Sequence, residues 1–572
     1  MKRLLLALLT PQHPLMHRHS NTLIASLALL LALLNSLTPA SAQAKLTAED
    51  WIEDVRYLQQ TVHTDYSHLF DKISAEDFDA QVDRFVADVP SLARHEIVVG
   101  IARLVAAFQY GHTSLHLFGD EIGFARAPLN IYHFADGVYI EGAAPEHADL
   151  VGARIVAVEG VPIEQAIDQL APAFPVENSQ FLKAYGMRLL TTPAILHAQG
   201  LTPKLAAHVR YRLAHPDGRE ADVTVQVAES TEAPTSYGFI PPNQGWATMQ
   251  PAIRTPHYLD SLDQHYYHRY LPEHNVVYVR YSQVIPDRDR DIETLFRQVF
   301  KSVKQQEADK LVLDVRLNGG GDNTNNITVI KQLLAEPEIN QVGKVFVLIG
   351  RRTFSACQNL VNELDTYGEV IFVGEPTGEN VNFWGDNRPV TLPNSQLAPR
   401  LSWAWWQDQP QWKAGAWTAP HLPVELTAAQ YSAGEDPVLA KALAFQEENF
   451  VRDPMGYIRT LFTKGDVALL QSEIMRMVPS PTYSFFDFEG QFDAAGKQLH
   501  ASGQRDAALQ VFSMNYALFP ESSVTANSLA GIFLEVGDRA EATRLFREAY
   551  RIAPESAAGL EAKARLDSMN KE

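Results

Sequence analysis

The sequence predicts a multi-domain α/β protein: an N-terminal helical region, a β-rich module, an α/β domain on a mostly parallel sheet, and C-terminal α-helical repeats. Three observations predict it. The chain has 572 residues, too long for one core and enough for about three to four domains. Apolar runs at Leu311–Val315, Val345–Ile349 and Val370–Val373 are rich in Val, Ile, Leu and Phe and end in Gly-containing turns. Helical patterns at about Asn326–Leu334 and Ala356–Leu364 separate them, the arrangement of strands buried on both faces. Finally, Gly503, Phe512, Tyr516 and Pro520 recur 34 positions on as Gly537, Phe546, Tyr550 and Pro554, with Ala508 recurring as Ala542.

Residues 1–42 read as an export signal: Lys2 and Arg3 (or Arg18, if Met16 is the start), the apolar run Leu23–Leu34, then Ala40-Ser41-Ala42 as a cleavage site. Twelve apolar residues are short of the roughly twenty that a membrane span needs, and no later stretch is long enough. The mature protein is therefore expected in a bacterial periplasm or secreted, with no membrane span after signal removal. Loss of three cations and no acid moves the formal charge from −20 to −23, which argues against nucleic acid as a partner. Cys357 stands alone, so no intrachain disulfide is possible, and no Cys/His or HExxH spacing predicts a metal or other cofactor.

Residues 46–120 carry three apolar stripes at helical spacing: Trp51, Val55, Leu58 and Val62; Phe78, Val82 and Phe85; and Ile97, Ile101, Leu104, Val105 and Phe108. Residues 121–228 alternate short strands with turns. The L-x-G-x-x-I-x-x-V-x-G spacing from Leu150 to Gly160 resembles a PDZ-like module, with a helical insertion around Ile167–Leu190. Such a module takes up an extended peptide as an added strand, or here forms a lid. Residues 229–274, rich in Pro, Tyr and His and without a period, read as a connection. Residues 275–445 form the α/β domain, opened by Val276–Tyr281. Within it Leu401–Trp417 holds five tryptophans, which line a pocket or close an apolar edge.

The chemistry-bearing stretch lies in that domain. Its order is strand, Asn318-Gly319-Gly320-Gly321, helix, strand, Phe354-Ser355-Ala356, helix, strand. Both turns fall at the carboxyl ends of neighbouring strands, where open sheets bind ligands. Ser355 precedes a helix, so its hydroxyl stands outside the sheet and the Ala356 N–H has no helical acceptor. Ser355 is thus a candidate nucleophile, with Ala356 and Gly320 (or Gly319) as candidate oxyanion donors.

Together DVRLNGGGDN, TFSA, GEPTG and the downstream PHLPVELTAAQYSAGEDPVLAKAL resemble the tail-specific or C-terminal-processing serine peptidases. They look most like the branch containing the tricorn core protease and the interphotoreceptor retinoid-binding protein domains, over roughly residues 46–444. The resemblance implies a crotonase-like catalytic domain, a peptide or protein substrate and Ser355 as nucleophile. The processing branch draws its base from a lysine three positions after the Thr of GE-x-T, which here is Asn380 and cannot accept a proton. The tricorn-like branch uses a histidine in a pattern close to D-G-H-T, and this chain reads Tyr110-Gly111-His112-Thr113. His112 is the implied base, with Tyr110 where an acid is common. Glu375, Glu379 and Asp386 are candidates for the group that fixes its tautomer.

Residues 446–490 are expected to be a helical linker. Residues 491–570, with the 34-residue period, match the tetratricopeptide signature. They offer a concave face to a protein partner, or serve as a packing appendage. The function expected is an exported serine peptidase, with a non-catalytic peptide- or apolar-ligand-binding protein and an esterase using the same serine as alternatives.

Overall fold

The computed structural model describes residues 46–569, apart from 229–231, 251–254, 288–289 and 447–448. The expected export signal, residues 1–42, lies outside the described residues. Among them, no helix is long and apolar enough to cross a membrane.

The three apolar stripes form α1 (Ala48–Asp65), α2 (Ala75–Asp88) and α3 (Arg94–Ala106). Thr47 and Ser74 start the first two by accepting the N–H groups of Asp50 and Asp77, donors that a helix leaves without a partner. The β-rich module follows, with β1 (Leu129–Phe134), β2 (Gly137–Ala143), β3 (Arg154–Val158), β4 (His208–Ala214) and β5 (Glu220–Gln226) lying side by side in chain order. All these pairs are antiparallel. Between β3 and β4 the insertion folds into α4 (Ile163–Leu170), α5 (Ser179–Tyr185) and α6 (Pro193–Ala198). Helical region and β-module are one packing unit, since Val55, Phe78 and Val98 share a continuous core with Ile140, Val158 and Leu213.

The α/β domain is built on a six-stranded sheet. Its strands are β6 (Tyr266–Leu271), β7 (Val276–Tyr281), β8 (Lys310–Asp314), β9 (Val345–Ile349) and β10 (Val370–Gly374), with Leu422–Pro423 as a short edge. The order is Leu422–Pro423, β10, β9, β8, β7, β6, all parallel except β6 against β7. One face packs on α7 (Ile292–Gln305), α8 (Asn326–Leu334) and α9 (Ala356–Tyr367). The other face is closed by Val438, Leu439 and Ala442.

Two expectations need correction. The segment 229–274 is not only a connection: β6 belongs to the six-stranded sheet. Its period was masked because its Tyr and His side chains are polar-tipped. Tyr266 is nevertheless fully buried, and its hydroxyl donates to the Arg290 carbonyl. The tryptophan-rich run, expected to line a pocket or close an apolar edge, instead leaves part of itself in solvent. β11 (Phe383–Pro389) and β12 (Arg400–Trp406) form an antiparallel hairpin on which Trp403 and Trp405 are exposed. The hairpin reaches back to the N-terminal helices, where the Asn394 and Ser395 N–H groups donate to buried Asp54.

After the sheet come helices Pro454–Lys464 and Val467–Met477, then five more between Phe488 and Met569. Residues 34 apart fill matching roles: Ala508 and Ala542 are fully buried, Phe512 and Phe546 lie in the same core, and Gly503 and Gly537 turn the chain at φ +81° and +90°. Such φ values favour glycine.

Candidate active site

β9 ends at Ile349, the chain turns, and Ser355 sits immediately before α9 at φ +56° and ψ −129°. That conformation is rare for a residue with a Cβ and costs about 1–3 kcal/mol, so the surroundings must hold it. They do so with two bonds: the Ser355 N–H donates to Glu379 Oε2 (2.7 Å), and the Phe354 N–H donates to the Asn318 carbonyl (3.1 Å). The turn lifts Oγ off the end of the helix and leaves the Ala356 N–H without an acceptor.

His112 arrives from the other side of the cleft. α3 ends at Ala106, and a turn closed by the Thr113 N–H on the Tyr110 carbonyl (2.8 Å) presents the imidazole. Thr113 Oγ1 donates to Ser402 Oγ (2.8 Å) on β12, so the hairpin buttresses this turn. The ring stacks on Phe354, with centroids 4.5 Å apart, and faces Phe383 at 5.9 Å. His112 Nε2 lies 3.0 Å from Ser355 Oγ, across 243 residues of sequence. Its other nitrogen, Nδ1, faces Glu379 Oε1 at 3.6 Å. Both atoms are buried and without a hydrogen bond, so each is the nearest available partner for the other.

The three acidic candidates are thereby separated. Of the three, Glu379 is the one in contact with the imidazole, while Asp386 reaches it only through its charge. Glu375 is spent on Arg351, which donates to it from Nε (2.7 Å) and Nη2 (2.5 Å). Asp386 sits on the hairpin and accepts the Trp406 Nε1–H at 3.0 Å. Tyr110, which stands where an acid is common, sends its hydroxyl to Asp71 Oδ2 (2.8 Å), away from the imidazole.

The glycine loop also needs revision. The Gly320 N–H, an expected oxyanion donor, is already bonded to Asn318 Oδ1 (2.9 Å). Gly320 instead supplies absence of bulk: a Cβ there would lie 2.7 Å from Ser355 Cβ and 2.8 Å from the Ala356 nitrogen. The neighbouring Gly319 N–H has no protein acceptor and takes over as the second candidate donor. Cys357, two residues past the serine, is fully buried, and burial pushes its thiol up. It packs.

Sequence reasoning missed Glu177. It is buried between the insertion and the His112 turn, accepting the Gly111 N–H at Oε2 (2.5 Å) and the Asn380 N–H at Oε1 (3.4 Å). Nothing in its local pattern distinguishes it from a surface glutamate. Burial, followed by the charge of Glu379, pushes Glu177 up to about 8, and burial also raises Glu379. The Lys72 ammonium opposes both shifts, drawing each carboxyl back towards its charged form. Burial lowers His112 to about 4, which keeps its imidazole neutral at physiological pH. Beside the site lies a cleft of about 350 Å³ lined by Leu115, Tyr132, Phe181, Tyr185, Met187 and Arg352. Asn130, Lys183 and Arg188 also line it, so aromatic walls alternate with polar and cationic groups, a lining that suits an extended ligand with both apolar and polar parts.

Residues 275–344 match the model of peptidase family S41. The match spans β7 through α8, glycine loop included, and stops short of Ser355. No curated protein matches the chain. Among solved structures, a variant of CPAF aligns at 11% identity, covering 71% of this chain and all (100%) of its own, with TM-score 0.50. Mature CPAF aligns at 12% identity over 71% and 100% of the two chains, with TM-score 0.48. A putative peptidase from Parabacteroides merdae aligns at 13% identity over 71% and 100%, with TM-score 0.33. At such identities the likeness to the CPAF variant is one of fold. The family match supports a peptidase.

Proposed function

We propose that the chain is an exported serine peptidase that cleaves peptide bonds by a Ser-His mechanism. The observation that carries this reading is the 3.0 Å approach of His112 Nε2 to Ser355 Oγ, with the serine held at a strained, helix-initiating φ of +56°. In the proposed reaction neutral His112 takes the Oγ proton as Oγ bonds to the substrate carbonyl carbon. The N–H groups of Ala356 and Gly319 receive the oxyanion, Gly320 leaving room for it. The imidazolium then returns the proton to the leaving amine, and water repeats the cycle on the acyl-enzyme. Glu379 is the orienting group: closing its 3.6 Å gap to Nδ1 would hold the proton on Nδ1 and leave the Nε2 lone pair facing serine.

The aromatic cleft supports an extended peptide or protein substrate, and the adjoining PDZ-like module a role in presenting its tail. The C-terminal helical repeats, with their 34-residue period, are proposed as a surface for a protein partner. Cleavage of a peptide library by the mature protein, compared with Ser355→Ala, tests the reading. Serine-dependent cleavage supports a peptidase. Turnover of small acyl esters alone makes the protein an esterase, and binding of peptides without turnover makes it a binding protein.

A further inference from the structure

Among the described residues, a cluster of side chains outside the serine site brings three metal-binding atoms together. His95 and Glu96 open α3, and His197 lies on α6, 102 residues away. His95 Nε2 and His197 Nδ1 are 2.8 Å apart, and Glu96 Oε1 is 3.9 Å from the same His197 nitrogen. The other Glu96 oxygen, Oε2, accepts the Ala93 N–H at 2.8 Å and so fixes the carboxylate with Oε1 turned inward. All three ligand atoms fit within 4.8 Å of one another. The residues are half-buried: the His197 and Glu96 side chains are 17% and 26% exposed.

We propose that His95, His197 and Glu96 form a binding site for a divalent transition-metal ion, zinc above all, that clips α3 to the insertion of the β-module. Two imidazoles and one carboxylate are a zinc donor set, with water completing the tetrahedron on the open side. With metal–ligand bonds of about 2.0–2.1 Å, neighbouring donors in a tetrahedron lie about 3.3 Å apart. The two nitrogens would therefore open by about 0.5 Å and the carboxylate close by about 0.5 Å, shifts within the reach of side-chain torsions. In the metal-free state the two nitrogens share a hydrogen bond, which the ion would replace with two metal–nitrogen bonds.

The clip joins two arms that meet over the serine. α3 runs from the cluster toward the His112 turn, roughly 16 Å along the helix axis from His95 to Ala106. On the other arm, α5 precedes α6 and carries Phe181 and Tyr185, which pack against Phe354 with centroids 5.1 and 6.4 Å away. The ion is therefore placed to stiffen the fold and not to touch the reacting atoms.

The test is calorimetric titration of the metal-stripped full-length mature chain with zinc chloride, alongside its melting temperature with and without zinc. One ion per chain is expected, with a rise in melting temperature. His95→Gln with His197→Gln should weaken binding at least about 100-fold and abolish the rise. Glu96→Gln keeps an acceptor for the Ala93 N–H and should weaken binding about 10-fold with the zinc-free melting temperature unchanged. Cobalt(II) at the site should give visible d–d bands of tetrahedral intensity, lost in the double variant. No zinc binding below about 100 μM, where binding free energy falls under roughly 5.5 kcal/mol, overturns the proposal. So does binding unchanged in the double variant, which assigns the ion to other histidines. If the double variant does not fold, unaltered affinity in Glu96→Gln overturns it by itself.

Discussion

Gly320→Ala isolates what the glycine loop contributes, because the Gly320 N–H is already committed to Asn318 and the substitution removes no oxyanion donor. An added Cβ would stand 2.7 Å from Ser355 Cβ, 2.8 Å from the Ala356 nitrogen and 2.9 Å from the Phe354 carbonyl oxygen. Two of these three are backbone atoms and cannot rotate away. To reach ordinary contact at 3.4 Å the Ser355 turn must retreat by about 0.7 Å. Misplacement on that scale costs on the order of 100-fold in rate, or about 2.7 kcal/mol of barrier. Alanine at φ +99° adds strain of about 1–3 kcal/mol to the folded state. The assay is the second-order rate of fluorophosphonate labelling per folded molecule, with the urea midpoint measured in parallel. A variant that labels at the wild-type rate with an unshifted midpoint refutes the geometry of this loop.

Four further outcomes follow from the same site. Glu379→Gln keeps an acceptor for the Ser355 N–H but replaces the carboxyl group facing Nδ1 with an amide. The imidazole thereby loses the group that fixes its tautomer, and labelling should fall by about 10²- to 10⁴-fold with little change in melting temperature. Glu375→Gln breaks the Arg351 pair and should act oppositely, destabilising by about 3 kcal/mol with labelling per folded molecule retained. The labelling rate should rise with pH through about 4, where His112 loses its proton, and show no step near 6.5. Glu177 has its carboxyl raised to about 8, so its favourable contribution is fully present below the unfolded value and is lost as pH rises through about 8. Glu177→Gln should therefore gain in unfolding free energy relative to wild type as pH goes from 5 to 8, by at most about 3 kcal/mol at pH 7, as measured by urea denaturation.

The parts legible in the sequence are those written in neighbouring residues. Strands β8, β9 and β10 announce themselves as apolar runs, and Ser355 is placed by the strand, turn and helix around it. The helical repeat shows because Ala508 and Phe512 must be answered by Ala542 and Phe546 in the same core. What the sequence does not show is held by contacts across long separations. Glu379 could not be chosen over Glu375 or Asp386 until Arg351 and Trp406 were seen to occupy the other two. Glu177 meets Gly111 across 66 residues, and His95 meets His197 across 102. Gly320 is a different failure, because Asn318 stands only two residues before it. An Asn side chain commonly turns back on the N–H two positions later, and that local signal was open to be read.

The measurement that bears most directly on the account is fluorophosphonate labelling of the purified mature protein beside Ser355→Ala and His112→Ala. Labelled wild type with both folded variants unlabelled is the predicted result, since Oγ is the nucleophile and Nε2 at 3.0 Å is its base. Wild type that is folded yet unlabelled from pH 5 to 9 contradicts the account, as does labelling that survives Ser355→Ala.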